Sequence, residues 1–360
     1  MRSIAAVAVA VAAIAAGCSN GSSGSAATTS STSVASTTIA STSPAVSGSS
    51  GATSTPSALQ ALDAAFVDVV ARVGPSVVEI STPSGLGSGI IYDTAGDIVT
   101  NAHVVGSDTS FAIATQDGHT YTATLVGVYA PDDLAVVKVS AQMGIAPAKF
   151  ADSTKIQVGQ ITLAIGNPLG LDSSVSQGIV SFNGRTVPEG NGVVLRSVIQ
   201  TSAAINPGNS GGALVDLAGE VIGIPTLAAA DPQFGGGAAP GIGFAIASNT
   251  VTRIADQLIS QGRVTDSGRA ALGVTVATVV DRSGKAAGVL LRAVQTGSAA
   301  DAAGLRVGDV ITAIDGKPTT DQQALQTILA GLQPGATVTI DVTRASGTSK
   351  VSAKLGTLPG

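Results

Sequence analysis

"INPGNSGGALVD", residues 205–216, sets one serine among three glycines, Gly208, Gly211 and Gly212. Glycine lets a backbone turn sharply and lets other groups approach it closely. A plain turn uses glycine for the same reason, so the decision rests on whether the chain supplies partners for an exposed Ser210 hydroxyl. A serine hydroxyl is a poor nucleophile at neutral pH. It needs a base to take its proton and a pair of donors to hold the developing oxyanion. Histidine is the usual base, and the chain has two, His103 and His119. His119 sits in "DGHTY", a polar hairpin tip, and reads as a surface residue. His103, in "IVTNAHVV", ends a β run and starts a turn, which gives a base the rigid edge it needs. Asp133, in "PDDLAVVKV", precedes a strongly apolar strand and can fix the imidazole tautomer. Asp132 beside it points elsewhere and reads as a solvated turn acid.

The remaining chain sets the frame for this trio. Its 360 residues are too many for one ordinary domain and suit two with extras. Charged residues make up 11%, the formal net charge is −5, and there is no basic run. Phosphate binding needs clustered Lys and Arg, so this composition argues against a nucleic-acid partner. From about Leu59 short β-rich runs recur, among them "SVVEI", "GSGIIYD", "YTATLVGVY", "ITLAIG" and "GIGFAIA". Gly, Pro, Asp and Asn punctuate them, which predicts an all-β barrel or sandwich. A break near Asp152 divides the runs into two groups. "NTVTRIADQLISQG" predicts a helix capped by Asn249 or Thr250 and ended by Gly262. A polar hinge, 263–269, leads to a small β unit with two helices. Ser298 caps the first, Asp315-Gly316 makes a turn, and Thr320 with Gln323 forms a capping box for the second.

The amino terminus reads as a leader. Arg2, the apolar stretch Ile4–Ala16 and small residues match a secretory signal. "AAGC" resembles the end of a bacterial lipoprotein signal, which implies lipidation of Cys18, the single cysteine. Residues 19 to about 57 are almost wholly Ser, Thr, Ala and Gly, and read as a flexible tether. The expected organisation is signal 1–17, tether 18–57, first domain 58–262, hinge 263–269 and second domain 270–360.

The order His, Asp, Ser over many short strands is that of two-barrel serine proteases. "TNAHVV", "DDLAVVKV", "GNPLG", "QGIVS" and "QTSAAINPGNSGGALVD" resemble the protease domain of the HtrA family. "GVLLRAVQTGSAADAAGLRVGDVITAIDGKP" resembles the PDZ domain that follows it there. The resemblance implies a mainly β fold, a chymotrypsin-like double β-barrel followed by a PDZ domain. It implies a serine endopeptidase acting on unfolded or damaged exported polypeptides, usually a trimer, with no cofactor and no metal. His103 would be the general base, Asp133 its orienting carboxylate and Ser210 the nucleophile. The oxyanion hole would comprise the amides of Gly208 and Ser210, helped by Asn209. Ala204, Ile205, Ile224, Gly243 and Phe244 would line a pocket for small or medium aliphatic side chains. The amides of Leu272, Gly273 and Val274 would hold a partner's terminal carboxylate, with Leu325 and Leu329 beside the groove or in the core. The expected location is the bacterial cell envelope, anchored through Cys18, with a secreted protein released by an ordinary cleaved signal as the alternative. The family usually has Asp where this chain has Ser202, which bears on how the preceding loop is held. The alternative is a catalytically weak chaperone or holdase on the same fold.

Overall fold

Alternation along the chain builds the strands. In "SFAIA", Phe111 and Ile113 are buried while Ser110 and Ala112 face outward, the period-two pattern of a half-buried strand. The computed structural model describes residues 57–358 except 84, 168–173, 191–192, 207 and 232–236. The signal, Cys18 and nearly all of the tether lie outside the described residues.

Six strands make the first barrel: β1 (Val77–Thr82), β2 (Gly85–Ile91), β3 (Asp97–Thr100), β4 (Ser110–Ala114), β5 (Thr120–Tyr129) and β6 (Leu134–Val139). They pair in the order β1-β2-β3-β6-β5-β4, and β4 closes onto β1. The second barrel repeats that order: β7 (Ile161–Gly166), β8 (Ser174–Gly190), β9 (Val193–Thr201), β10 (Ala213–Val215), β11 (Val221–Asp231) and β12 (Gly237–Ala247). All pairs are antiparallel, and closure removes the open edges that invite aggregation. The expected break near Asp152 falls between the barrels.

Each barrel has its own interior, but a third apolar cluster joins them. Val77, Ile90, Val99 and Val136 of the first barrel meet Leu163, Ile165, Val215 and Ile224 of the second. Two helices cover this seam. One, α1 (Ala58–Val73), contributes Val69 and Val73. The sequence reading placed no helix there, although Ser57 and Gln60 form a complete capping box. A short helix, α2 (Ala102–Val105), follows β3. The second cover, α3 (Ser248–Gln261), packs Val251, Ile254, Ala255 and Leu258 into the same cluster. Gly262 ends α3 in a left-handed conformation, as expected. Its start differs: Ala247 is the N-cap, and the Asn249 side chain instead bonds Ser153 N and Asp152.

The expected polar hinge is a fastened strap. Val264 and Ser267 are buried, and the Gln257 side chain accepts from the amides of Thr265 and Asp266. Arg269 extends back to both barrels. It donates to the Asp132 carboxylate, to Pro131 O (2.8 Å) and to Val194 O (2.8 Å). Asp132 is therefore a buried, ion-paired residue and not a solvated turn acid. Buried carboxylates require such a partner.

Beyond the strap, β13 (Ala270–Ala271) pairs with β20 (Gly356–Thr357). The main sheet comprises β14 (Val274–Val280), β15 (Ala286–Val294), β16 (Val310–Ile314), β18 (Thr337–Arg344) and β19 (Gly347–Lys354), with β17 (Lys317–Pro318) paired to β16. One edge of this sheet is β14. Ser298 caps α4 (Ala299–Ala302) as expected. The cap of α5 (Gln322–Ala330) is Asp321, accepting from Ala324 N at 2.8 Å, and not Thr320.

Candidate active site

The first barrel presents a histidine and a carboxylate already bonded to each other. Strand β3 ends at Thr100, and α2 turns His103 toward the start of β6. Asp133 sits just before β6 with φ +50°, in the left-handed region. Three bonds hold it there. Asn101 Nδ2 and Ala102 N donate to its carbonyl, and His103 N donates to Oδ1 at 2.9 Å. Asp133 Oδ2 lies 2.8 Å from His103 Nδ1. The carboxylate is 5% exposed and the imidazole 46%, so the acid is fixed in the interior while the ring faces the cleft.

A second donor reaches the same oxygen from the other barrel. Thr226 Oγ1, on β11, donates to Asp133 Oδ2 at 2.6 Å. The carbonyl of Thr226 accepts from Ser210 Oγ at 3.2 Å. One residue therefore touches both the acid and the serine. The sequence reading missed Thr226 and Asn101. Neither carries a motif by itself, and only the pairing of β11 and of α2 with the Asp133 turn brings them in.

The glycines around Ser210 serve close approach. Gly211 has φ +81°, and a side chain there would overlap Ser88 O and Thr100 Oγ1. Gly208 has φ +107°. Three successive peptides in this loop are held. Gly208 O accepts from Ser88 Oγ (2.6 Å) and Asn209 N donates to Asn206 O (3.2 Å). Asn209 O accepts from Gly212 N at 3.0 Å. Ser210 O accepts from Ser88 N (2.9 Å) and Gly211 N donates to Pro225 O (3.0 Å). In a trans peptide the N–H lies opposite the C=O. The Ser210 amide is thus turned away from the bonded Asn209 carbonyl, whereas the Asn209 amide is engaged inside the loop.

Residues 87–224 match the model of the trypsin-like peptidase domain, and residues 270–355 that of the PDZ domain. The chain is 38% identical over 263 residues to the periplasmic serine endoprotease DegP of Escherichia coli, covering 72% of this chain and 54% of that protein. It is 39% identical over 305 residues to the serine protease PepD of Mycobacterium tuberculosis, covering 78% and 64%. A solved structure of the HtrA-type protease AlgW with a decapeptide is 31% identical, with TM-score 0.57, and covers 82% of this chain and 99% of its own. The chain belongs to the HtrA family of trypsin-like serine proteases. It spans between about half and two thirds of the length of these two curated relatives.

Within this HtrA fold the other expected residues divide. Ala204, Ile205 and Gly243 lie together: Ile205 packs on Gly243, and Ala204 O accepts from Asn209 Nδ2 at 3.1 Å. Ile224 belongs to the core between the barrels, and Phe244 packs with Leu195 and Val198. Both side chains sit in core clusters, as Ile205 does beside Ala203 and Leu214. Ser202, where the family usually has Asp, is bonded to Ile179 through both backbone and hydroxyl, at 3.1 and 3.0 Å. Gly178 permits this approach, because a side chain there would overlap the backbone at Ala203. His119 is exposed and paired with Asp117 at 3.0 Å, away from the site.

In the PDZ domain a cavity of about 950 Å³ is lined by Leu272, Gly273, Val274, Leu325 and Leu329. Leu325 also belongs to the core and Leu329 packs against it. The carbonyls of Leu272 and Gly273 are bonded to the amides of Ala300 and Gln295, which turns the following amides the other way. Pro131, Val194 and Arg269 line the same cavity.

Proposed function

We propose that this HtrA-family chain is a serine endopeptidase that hydrolyses peptide bonds through an acyl-enzyme. The observation that carries the reading is the buried Asp133 carboxylate, bonded at once to His103 Nδ1 and to Thr226, whose carbonyl holds Ser210 Oγ. In this mechanism Asp133 fixes the tautomer in which His103 Nε2 is the proton acceptor. His103 takes that proton from Ser210 as the hydroxyl attacks the peptide carbonyl, then returns it to the leaving amine. Asp133 stabilises the imidazolium formed between those steps. The amides of Gly208 and Ser210 receive the oxyanion; Asn209 is left out because its amide is bonded to Asn206. Loss of one such donor typically costs ~3 kcal/mol of transition-state stabilisation.

Small apolar neighbours, Ala204, Ile205 and Gly243, favour cleavage after small or medium aliphatic residues. The cavity beside the β14 edge suits a polypeptide C-terminus added as a strand, its carboxylate held by the 272–274 amides. DegP is described as periplasmic, and the lipoprotein-like leader agrees with envelope placement. The reading is completed by lipidation at Cys18, trimer formation and quality control of unfolded exported proteins. Digestion of casein, with cut sites mapped by mass spectrometry, tests it. The wild type is expected to cut after Val, Ala or Leu and Ser210→Ala to cut nowhere. Equal digestion by both would overturn the mechanism, and cutting after Arg or Lys would overturn the pocket.

A further inference from the structure

The proposed triad is divided between two barrels. His103 and Asp133 come from the first and Ser210 from the second. A catalytic constellation must be held to within about 0.5 Å of its productive geometry. Something must therefore fix one barrel's loop against the other. Helices α1 and α3 bury apolar surface across the seam, but such burial is non-directional. Directional bonds are needed at the loop itself.

Ser88 supplies them. It lies on β2 of the first barrel, opposite Glu79 of β1, and is completely buried. Its hydroxyl donates to Gly208 O at 2.6 Å and accepts from Asn167 N at 2.9 Å. Its amide donates to Ser210 O at 2.9 Å. Its own carbonyl is held by Thr100 Oγ1 at 2.7 Å, from the last residue of β3, two residues before the helix that carries His103. One residue thus bonds both ends of the Gly208–Ser210 triplet and is itself tied to the strand that leads to the base. Close packing leaves little room for slack: side chains at Gly166 or Gly211 would overlap this loop or Ser88.

We propose that Ser88 is a positioning residue that sets the nucleophile loop, and with it the oxyanion amides, against the His103–Asp133 pair. It acts through Gly208 and Ser210 and need not touch substrate. The bond to Gly208 O orients the peptide that follows Gly208. The bond to Ser210 O orients the peptide that follows the nucleophile. Between them the Ser210 amide keeps one direction. Without the hydroxyl, Gly208 O and Asn167 N both lose a buried partner, and the loop is free to reorient toward another donor. The inference rests on the endopeptidase reading.

The test is Ser88→Ala in the full chain, measured on a small peptide substrate beside the wild type and Ser210→Ala. Ser248→Ala is the control for stability alone. Ser248 is another fully buried serine whose hydroxyl donates to a backbone carbonyl, that of Ala151 at 2.7 Å, at the start of α3 and outside the nucleophile loop. Ser88→Ala is expected to lower kcat about tenfold or more with KM little changed, short of the ~10²–10³ that removal of an oxyanion donor costs. Its affinity for a peptide boronate, which mimics the tetrahedral intermediate, should fall in parallel, while affinity for a cleaved product peptide stays constant. Ser248→Ala should lose stability with kcat kept. Should Ser88→Ala not fold, Ser88→Cys, with its weak donor, is read in the same way. Wild-type kcat and boronate affinity in a folded Ser88 variant would overturn the proposal. An inactive wild type would instead overturn the endopeptidase reading beneath it.

Discussion

Thr226→Val isolates one hydrogen bond at nearly constant shape. The Asp133 carboxylate receives three bonds: His103 N on Oδ1, and His103 Nδ1 and Thr226 Oγ1 on Oδ2. Both Thr226 and Asp133 are 4% exposed, so water cannot replace the lost donor cheaply. A hydrogen bond to a charged group contributes about 1.5–3 kcal/mol, and folding stability should fall by that amount. The rate responds differently. The Thr226 bond exists in ground and transition states alike, and only a difference between them alters kcat. What changes is the freedom of Oδ2 to leave the imidazole. Loss of the carboxylate's charge in a related triad costs ~10⁴ in kcat. Loss of its orientation alone should cost far less, about tenfold, or ~1.4 kcal/mol. Urea unfolding gives the first quantity, and kcat and KM on a peptide anilide give the second. A stability loss of the stated size with kcat within about twofold of wild type would refute the reasoning, since Thr226 would then serve the fold alone.

Arg269→Met leaves Asp132 buried without its cation, which should cost ~3–5 kcal/mol, and adding Asp132→Asn should restore part of it in a denaturant double-mutant cycle. Full additivity of the two changes would contradict the pairing. Gly211→Ala forces a side chain into Ser88 O at a left-handed φ. It should abolish peptidase activity while the PDZ domain still binds a peptide with a free C-terminal carboxylate; retained activity would contradict the described loop. In the PDZ domain, hydrogen bonds from Arg344 hold the Asp309 carboxyl below the ordinary carboxylate range, against an opposing push from burial. A depressed carboxylate stabilises the fold above its unfolded pKa of ~3.9, and that stability is lost as pH falls through the folded value. Thermal unfolding against pH should therefore show an acid limb near and below pH ~4 that flattens in Asp309→Asn; an unchanged limb would exclude this pair as its source.

The proposed trio was legible as a candidate because each member sits in a local pattern with a chemical reason. Ser210 lies among glycines, His103 at the end of a β run, and Asp133 ahead of an apolar strand. The two barrels were legible from alternation and turn residues. What escaped the sequence was long-range. Thr226 and Ser88 are ordinary polar residues on strands, and their roles exist only where two barrels meet. Asp132 read as a surface acid because its partner, Arg269, lies far along the chain in what read as a hinge. Ile224 and Phe244 lie on segments expected to flank the serine in this fold, and their side chains are buried among other core residues. Helix α1 was missed although its capping box is local, because the β-rich texture after it dominated the reading.

The central claim is that His103, held by Asp133, activates Ser210. A fluorophosphonate probe tests this directly, because it bonds covalently only to an activated serine. Intact-mass and peptide mapping of the labelled chain should place a single adduct on Ser210, abolished in Ser210→Ala and slowed by orders of magnitude in His103→Ala. Labelling that persists at the wild-type rate in His103→Ala, or an adduct on another residue, would contradict the account.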